Sequence, residues 1–238
     1  MYEERASRLP GAVAWTRGPV PAGTTGRVLP DGCMDLLLWN GELVVAGPDT
    51  RAYLATERLG GRVYGLRLPP GTGPRVFGAP AWELRDQRVP LAELWPGRQV
   101  RELHERVVQA RDPLAALESV AAGRLTAVRS AALPEDAVAA LVVAELRDGA
   151  RVAEVAGRVG LSERQLHRRC RDAFGYGAKT LGRVLRMQRA LRLAAGGTPF
   201  AETALRAGYA DQAHLAREDR ALAGVPMTEL VRGGGWGG

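Results

Sequence analysis

Twice in its second half the chain repeats one short design, and the two copies stand 49 residues apart. Ser162, Leu166, Arg168 and Arg171 in the first copy correspond to Asp211, Leu215, Arg217 and Arg220 in the second. Residues 152–159 carry helical spacing, with Val152, Val155, Ala156 and Val159 on one face. Gly160 then permits a left-handed turn, Leu161 plugs the core, and Ser162 can cap a helix running to Ala173. In the second copy Thr198 can cap, Pro199 suits a first helical position, and Phe200, Ala204 and Ala207 lead to Gly208. Tyr209 and Ala210 make the turn, Asp211 can cap, and residues 212–223 form the last segment. Helices this short are not stable alone and must pack on neighbours. The pattern therefore predicts two helix-turn-helix units, joined by a long helix over 180–195 that ends at Gly196-Gly197. Leu181, Val184, Leu185 and Leu191 form its buried stripe, with Arg183, Arg186, Arg189 and Arg192 pointing elsewhere.

Charge divides along the same line. Residues 151–238 hold 15 Lys/Arg and 8 Asp/Glu, which accounts for the whole net charge of +7. Such a split places a polyanion-binding function in the second half and something else in the first. Arg164, Arg168 and Arg171 fall at i, i+4 and i+7, one stripe of a helix, with Leu166, Cys170 and Ala173 opposite. Lys179 is the single lysine among 33 basic residues. Arginine's planar fork suits phosphates and guanine edges.

The first hundred residues read as strands and turns. MDLLLW (34–39), Asn40-Gly41 and ELVVAG (42–47) spell a hairpin. RVYGLRL (62–68) alternates before Pro69-Pro70-Gly71, and Gly/Pro punctuation at this spacing favours a small antiparallel sandwich or barrel. Segments 98–110 and 113–123 turn helical, with Val100, Leu103 and Val107 on one face. The boundary is expected between Arg124 and Leu133, after which residues 134–147 form a helix, apolar at Val138, Leu141, Val142 and Leu146. The predicted class is α+β: a β-rich domain with helices over 1–125, an all-α domain over 133–232, and a disordered glycine-rich tail, 233–238.

At 46% apolar residues the chain is globular, and it contains no run of 18 apolar residues. Neither a membrane span nor a secretory signal is expected, and the location read from this is cytoplasmic, at the nucleoid. Cys33 and Cys170 stand far apart and give no disulfide framework. The histidines (His104, His167, His214) are too dispersed for a metal site, and no P-loop, G-x-S-x-G or dinucleotide fingerprint occurs. No cofactor and no enzymatic activity are expected.

VAEVAGRVGLSERQLHRRCRDAFGYGAKTLGRVLRMQRAL (152–191) and FAETALRAGYADQAHLAREDRALAGV (200–225) resemble the two units and linker helix of the AraC family of transcription regulators. The resemblance covers 134–232 and implies double-stranded DNA and RNA polymerase as partners, transcriptional activation among its outcomes, and room for a small-molecule effector or a homodimer. RVLPDGCMDLLLW (27–39), GELVVAGPDT (41–50) and the 77–95 run are similar to a domain found with this regulator type, cupin-like by analogy, with no ligand implied. Four positions depart from the family pattern: Ala178, Thr203, Met227 and Asp219. Helical angle puts Asp219 at the core edge, so a partly exposed carboxylate paired with Arg206 or Arg220 is expected.

On this reading Arg164 and Arg168, flanked by Gln165 and His167, face base edges, Arg171 serves a phosphate, Gln212, His214 and Arg217 take the equivalent roles in the second unit, and Lys179 and Arg220 are further DNA-binding residues. Two alternatives stay open. Cys33 could be the nucleophile of a repair, alkylation- or redox-responsive regulator, although Asp31 and Asp35 beside it oppose thiolate formation. A dimeric scaffold binding DNA without specificity is the other. Trp15, Trp39, Trp82 and Trp95 either line a ligand pocket or fill the core.

Overall fold

The computed structural model describes residues 2–128 and 133–233. Its architecture is α+β, an antiparallel sheet region followed by helices. The strands are β1 (Tyr2–Ala6), β2 (Val13–Arg17), β3 (Thr25–Val28), β4 (Met34–Trp39), β5 (Glu42–Ala46), β6 (Tyr53–Thr56), β7 (Val63–Leu68) and β8 (Arg88–Pro90). Six form one sheet in the order β1-β2-β7-β4-β5-β8, and β3 pairs with β6 as a separate ribbon. The β4–β5 hairpin turns at Asn40 (φ 51) and Gly41 (φ 79), the left-handed pair that a two-residue turn requires.

Strand alternation sends residues to two different environments. Met34, Leu36, Leu66 and Leu68 face α1 (Gly73–Phe77), α2 (Gly97–Gln109) and α3 (Pro113–Val128), where they pack with Phe77, Leu103, Val107 and Leu117. Leu37, Val44 and Ala46 face the other way, with Trp15 and Trp39. On that face the Trp15 indole lies flat against Gly65, where any Cβ would stand 2.2 Å from a ring carbon. Fully burying a Leu or Phe side chain contributes about 1.5–3 kcal/mol, so the helix-covered face is the main stabilising layer here.

The second half comprises α4 (Leu133–Arg147), α5 (Val152–Arg158), α6 (Glu163–Phe174), α7 (Ala178–Ala195), α8 (Phe200–Ala207), α9 (Gln212–Ala223) and α10 (Met227–Gly233). α5–α6 and α8–α9 are the two helix-turn-helix units. Each has its own core, one around Val155, Leu166, Phe174 and Leu181, the other around Met187, Leu191, Ala204, Leu215 and Leu222. α7 contributes to both, which fixes the units on one rigid element.

Several local expectations need correction. α3 runs on to Val128, so residues 124–128 of the expected boundary are helical; residues 129–132, like the tail from 234 onward, lie outside the described residues. Leu141 is 40% exposed, because α4 buries Val142, Val143 and Leu146 instead. α8 starts at Phe200 with Pro199 as its N-cap residue, and Thr198 supplies a carbonyl to Thr203 Oγ1 rather than a side-chain cap. Asp219 is neither exposed nor paired: it is fully buried, and both carboxylate oxygens lack a hydrogen-bond partner. The cause is direction, since α9 aims Asp219 inward with Leu215 and Leu222 while Arg206 bonds Glu202 across one turn of α8.

Candidate nucleic-acid interface

The first candidate reading helix, α6, begins with a capping box. Ser162 Oγ accepts from Gln165 N at 3.2 Å, and Gln165 Oε1 accepts from Ser162 N at 2.9 Å. Gln165 is thereby committed in part to the helix start, leaving its amide NH2 as the group free to donate outward. α6 buries Leu166, Cys170 and Phe174 on one side, which leaves Arg164, His167 and Arg168 exposed on the rest of the helix. Burial pushes the Cys170 thiol up to about 12, so this cysteine is inert packing.

α9 repeats the arrangement. Asp211 accepts from His214 N at 2.6 Å and caps the helix, while Gln212, Arg217 and Arg220 are exposed. His214 is half-buried: its Nδ1 lies 3.4 Å from Ala210 N, and its ring meets Tyr209 edge-on at 5.3 Å. Its outward capacity is therefore limited to Nε2.

Between the units lies a broad groove of about 760 Å³, floored by α7 and edged by Arg147, Arg151, Lys179, Arg183 and Arg186. Lys179, Arg183 and Arg186 stand at i, i+4 and i+7, the same stripe that singled out α6. That spacing, applied to α7 as well, would have found Arg183 and Arg186. Glu218 of α9 bonds Arg183 Nε at 2.7 Å and lies 3.7 Å from Arg186. Burial would raise its carboxyl, but the hydrogen bond and charge of Arg183, with Arg186 behind it, hold it below the usual range. Arg186 also stacks on Tyr209 at 4.6 Å.

The N-terminal region grips both reading helices at their C-terminal ends. At α6, Arg171 stacks over Trp82 at 5.6 Å, and Arg85 donates to Gly175 O at 3.3 Å. At α9, Ala52 N donates to Leu222 O at 2.6 Å and Arg27 donates to Ala223 O at 2.7 Å. Leu29 is buried in the core of the second unit, and Gln188 of α7 donates to Pro30 O at 2.7 Å. The four tryptophans thus separate by environment. Trp95 is core, Trp82 lies under Arg171, and Trp15 and Trp39 line a cavity between the large sheet and the β3–β6 ribbon.

Cys33 sits beside Asp31, whose Oδ1 accepts from Cys33 N at 2.8 Å. Burial first, and the Asp31 charge second, push its thiol well above the ordinary cysteine range, which disfavours the nucleophilic alternative. Among the described residues no group of three His, Cys, Asp or Glu is placed to hold a metal ion, and no helix is long and apolar enough to cross a membrane.

Comparison with known proteins agrees with this geometry. Residues 146–233 match the helix-turn-helix domain family HTH_18, and residues 12–90 match a domain of unknown function, DUF6597. No curated protein matches the chain. Among solved structures, ToxT from Vibrio cholerae aligns over 97% of this chain and 98% of its own, at 10% identity and a TM-score of 0.51. A form of ToxT bound to an unsaturated fatty acid aligns over 97% of both chains at 11% identity, with a TM-score of 0.47. A probable AraC family transcriptional regulator from Rhodopseudomonas palustris is 20% identical over 40% of this chain and 94% of its own, with a TM-score of 0.35. Residues 146–233 are thus a helix-turn-helix domain of the HTH_18 type, the kind that DNA-binding regulators carry, and the chain shares with ToxT a fold that joins such a domain to an N-terminal β-rich one.

Proposed function

We propose that the protein reads an asymmetric DNA site by inserting α6 and α9 into successive major grooves, which lie about 34 Å apart on one face of B-DNA. The observation that carries this reading is the mounting of two capped, outward-facing helices on a single long helix, α7, with a basic groove between them. Arg164 and Arg168 carry exposed guanidinium groups able to fork onto guanine O6 and N7; in α9, Gln212 can address adenine, with Arg217 beside it. Lys179 fits the phosphate backbone that crosses between the grooves, while Glu218 already partners Arg183 and Arg186 beside it. Arg220 and Arg171 flank the reading surfaces, Arg171 from its stack on Trp82. RNA polymerase is the partner through which such a regulator acts at a promoter. Because α7 supplies the spacing, one protomer suffices, and a homodimer would add a second site rather than complete the first.

The test is selection of bound sequences from a randomised duplex library, followed by affinity measurements over a range of salt. A motif with two half-sites about one helical turn apart is expected. Enrichment of no motif, with affinity set by salt alone, would replace the specific reader with a non-specific scaffold.

A further inference from the structure

One carboxylate stands on the floor of a basic groove. Arg147, Arg151, Lys179, Arg183 and Arg186 line the space between the two reading units, and among the described residues Glu218 is the single acidic group in that lining. A cationic stripe facing DNA gains affinity from each phosphate it neutralises, because condensed counterions are released. Here α9 lays a negative charge onto the stripe. Glu218 Oε2 accepts from Arg183 Nε at 2.7 Å and Glu218 Oε1 accepts from Arg183 Nη2 at 3.2 Å, a two-point fork that is among the stronger contacts a guanidinium makes.

The three members of the α7 stripe are thereby made unlike. Lys179 is exposed, and among the described residues no carboxylate pairs with it. Arg186 lies 3.7 Å from Glu218 but is also held by Gly208 O at 3.5 Å and by the Tyr209 ring at 4.6 Å, so removal of the carboxylate would not release it. Arg183 is different. Among the described residues its guanidinium bonds Glu218 alone. Its side chain remains 33% exposed, so a backbone lying in the groove could reach it once the fork opened.

We propose that Glu218 restrains the protein's affinity for DNA backbone by withholding Arg183, which is a latent phosphate contact, while Lys179 on the same stripe stays free to make one. The proposal rests on the DNA-reading function above, in which the groove faces the backbone. A phosphate can claim Arg183 only by displacing a carboxylate already in two-point contact, so the exchange gains little. The restraint acts on every sequence alike, because phosphate contacts carry no base information. Its use is in competition. Non-specific sites vastly outnumber the target, and a smaller sequence-independent contribution leaves base contacts to decide where the protein stays.

Fluorescence anisotropy of a labelled random-sequence duplex measures affinity against salt for the full chain and its variants, each checked for folding by circular dichroism. Glu218→Gln keeps an acceptor for Arg183 and removes the charge. It should tighten binding at least about threefold at about 50 mM salt and steepen the slope of log affinity on log salt by about 0.9. Arg183→Gln alone should leave the slope within about 0.3 of wild type, and in the Glu218→Gln background it should restore the wild-type slope. Glu229→Gln removes the same charge from α10, where among the described residues no basic group pairs with it, and should not steepen the slope. Lys179→Ala reports whether the groove carries backbone at all, and should lower the slope by about 0.9. A Glu218→Gln slope that stays level or falls while Lys179→Ala lowers it overturns the restraint and leaves Glu218 as a tie between α7 and α9. Loss of slope in Arg183→Gln alone overturns it too, as does a Glu229→Gln effect equal to that of Glu218→Gln, which would reduce the matter to net charge. If neither Lys179→Ala nor Glu218→Gln moves the slope, the backbone does not cross this groove, and the placement of DNA falls together with the restraint.

Discussion

Replacing Asp219 by valine should stabilise the protein, and the gain should grow with pH. The carboxylate is fully buried in the core of the second unit, with both oxygens unpartnered. Burial pushes its pKa up from 3.8 to about 7. A folded-state value above the unfolded one means that the unfolded chain releases its proton first, so stability is lost as pH rises from about 4 to about 7 and is level beyond. The gap corresponds to about 4 kcal/mol of cost at pH 8 and about 1.5–2 kcal/mol at pH 5. Valine removes the cost at both, and adds burial of a small apolar side chain. Urea unfolding of the full chain, followed by circular dichroism at pH 5 and pH 8 for both forms, measures the difference. The wild type should weaken between the two pH values while Asp219→Val stays nearly level on this account. A valine variant equally stable or weaker at pH 8, or a gain independent of pH, would refute the claim that an uncompensated carboxylate sits in this core.

Other substitutions test other links. Gly65→Ala should destabilise the N-terminal region by about 1–3 kcal/mol by overpacking against Trp15, read as a lower melting temperature and altered tryptophan fluorescence. Gln188→Leu strands the buried Pro30 carbonyl and should cost about 1–3 kcal/mol in urea unfolding; a neutral effect would mean that water or a shift of the chain satisfies that carbonyl. Arg168→Ala should lose about 1–3 kcal/mol on the selected DNA site and relax discrimination at one or two base pairs. Arg171→Ala should weaken specific and non-specific DNA alike and reduce the salt slope by about one; an unchanged slope would refute the phosphate contact and leave Arg171 as a partner of Trp82 alone.

The sequence by itself determined whatever depends on short-range periodicity. The 49-residue repeat, the caps at Ser162 and Asp211, and the Asn40-Gly41 hairpin are local arrangements, and each formed as its residues dictate. The same holds for the exposed stripe of Arg164 and Arg168, because helical spacing alone separates it from Leu166 and Cys170. Only the tertiary structure decided what lies against each face. The inward aim of Asp219 could be placed at the core edge by angle, but its lack of a partner depended on Arg206 turning to Glu202 instead. Four tryptophans that look alike in sequence became a core residue, a platform for Arg171 and two walls of a cavity, since burial is set by neighbours distant in the chain. The grip of Arg27, Ala52 and Arg85 on the ends of α6 and α9 joins residues more than 80 positions apart through backbone carbonyls, whose partners no side-chain pattern encodes.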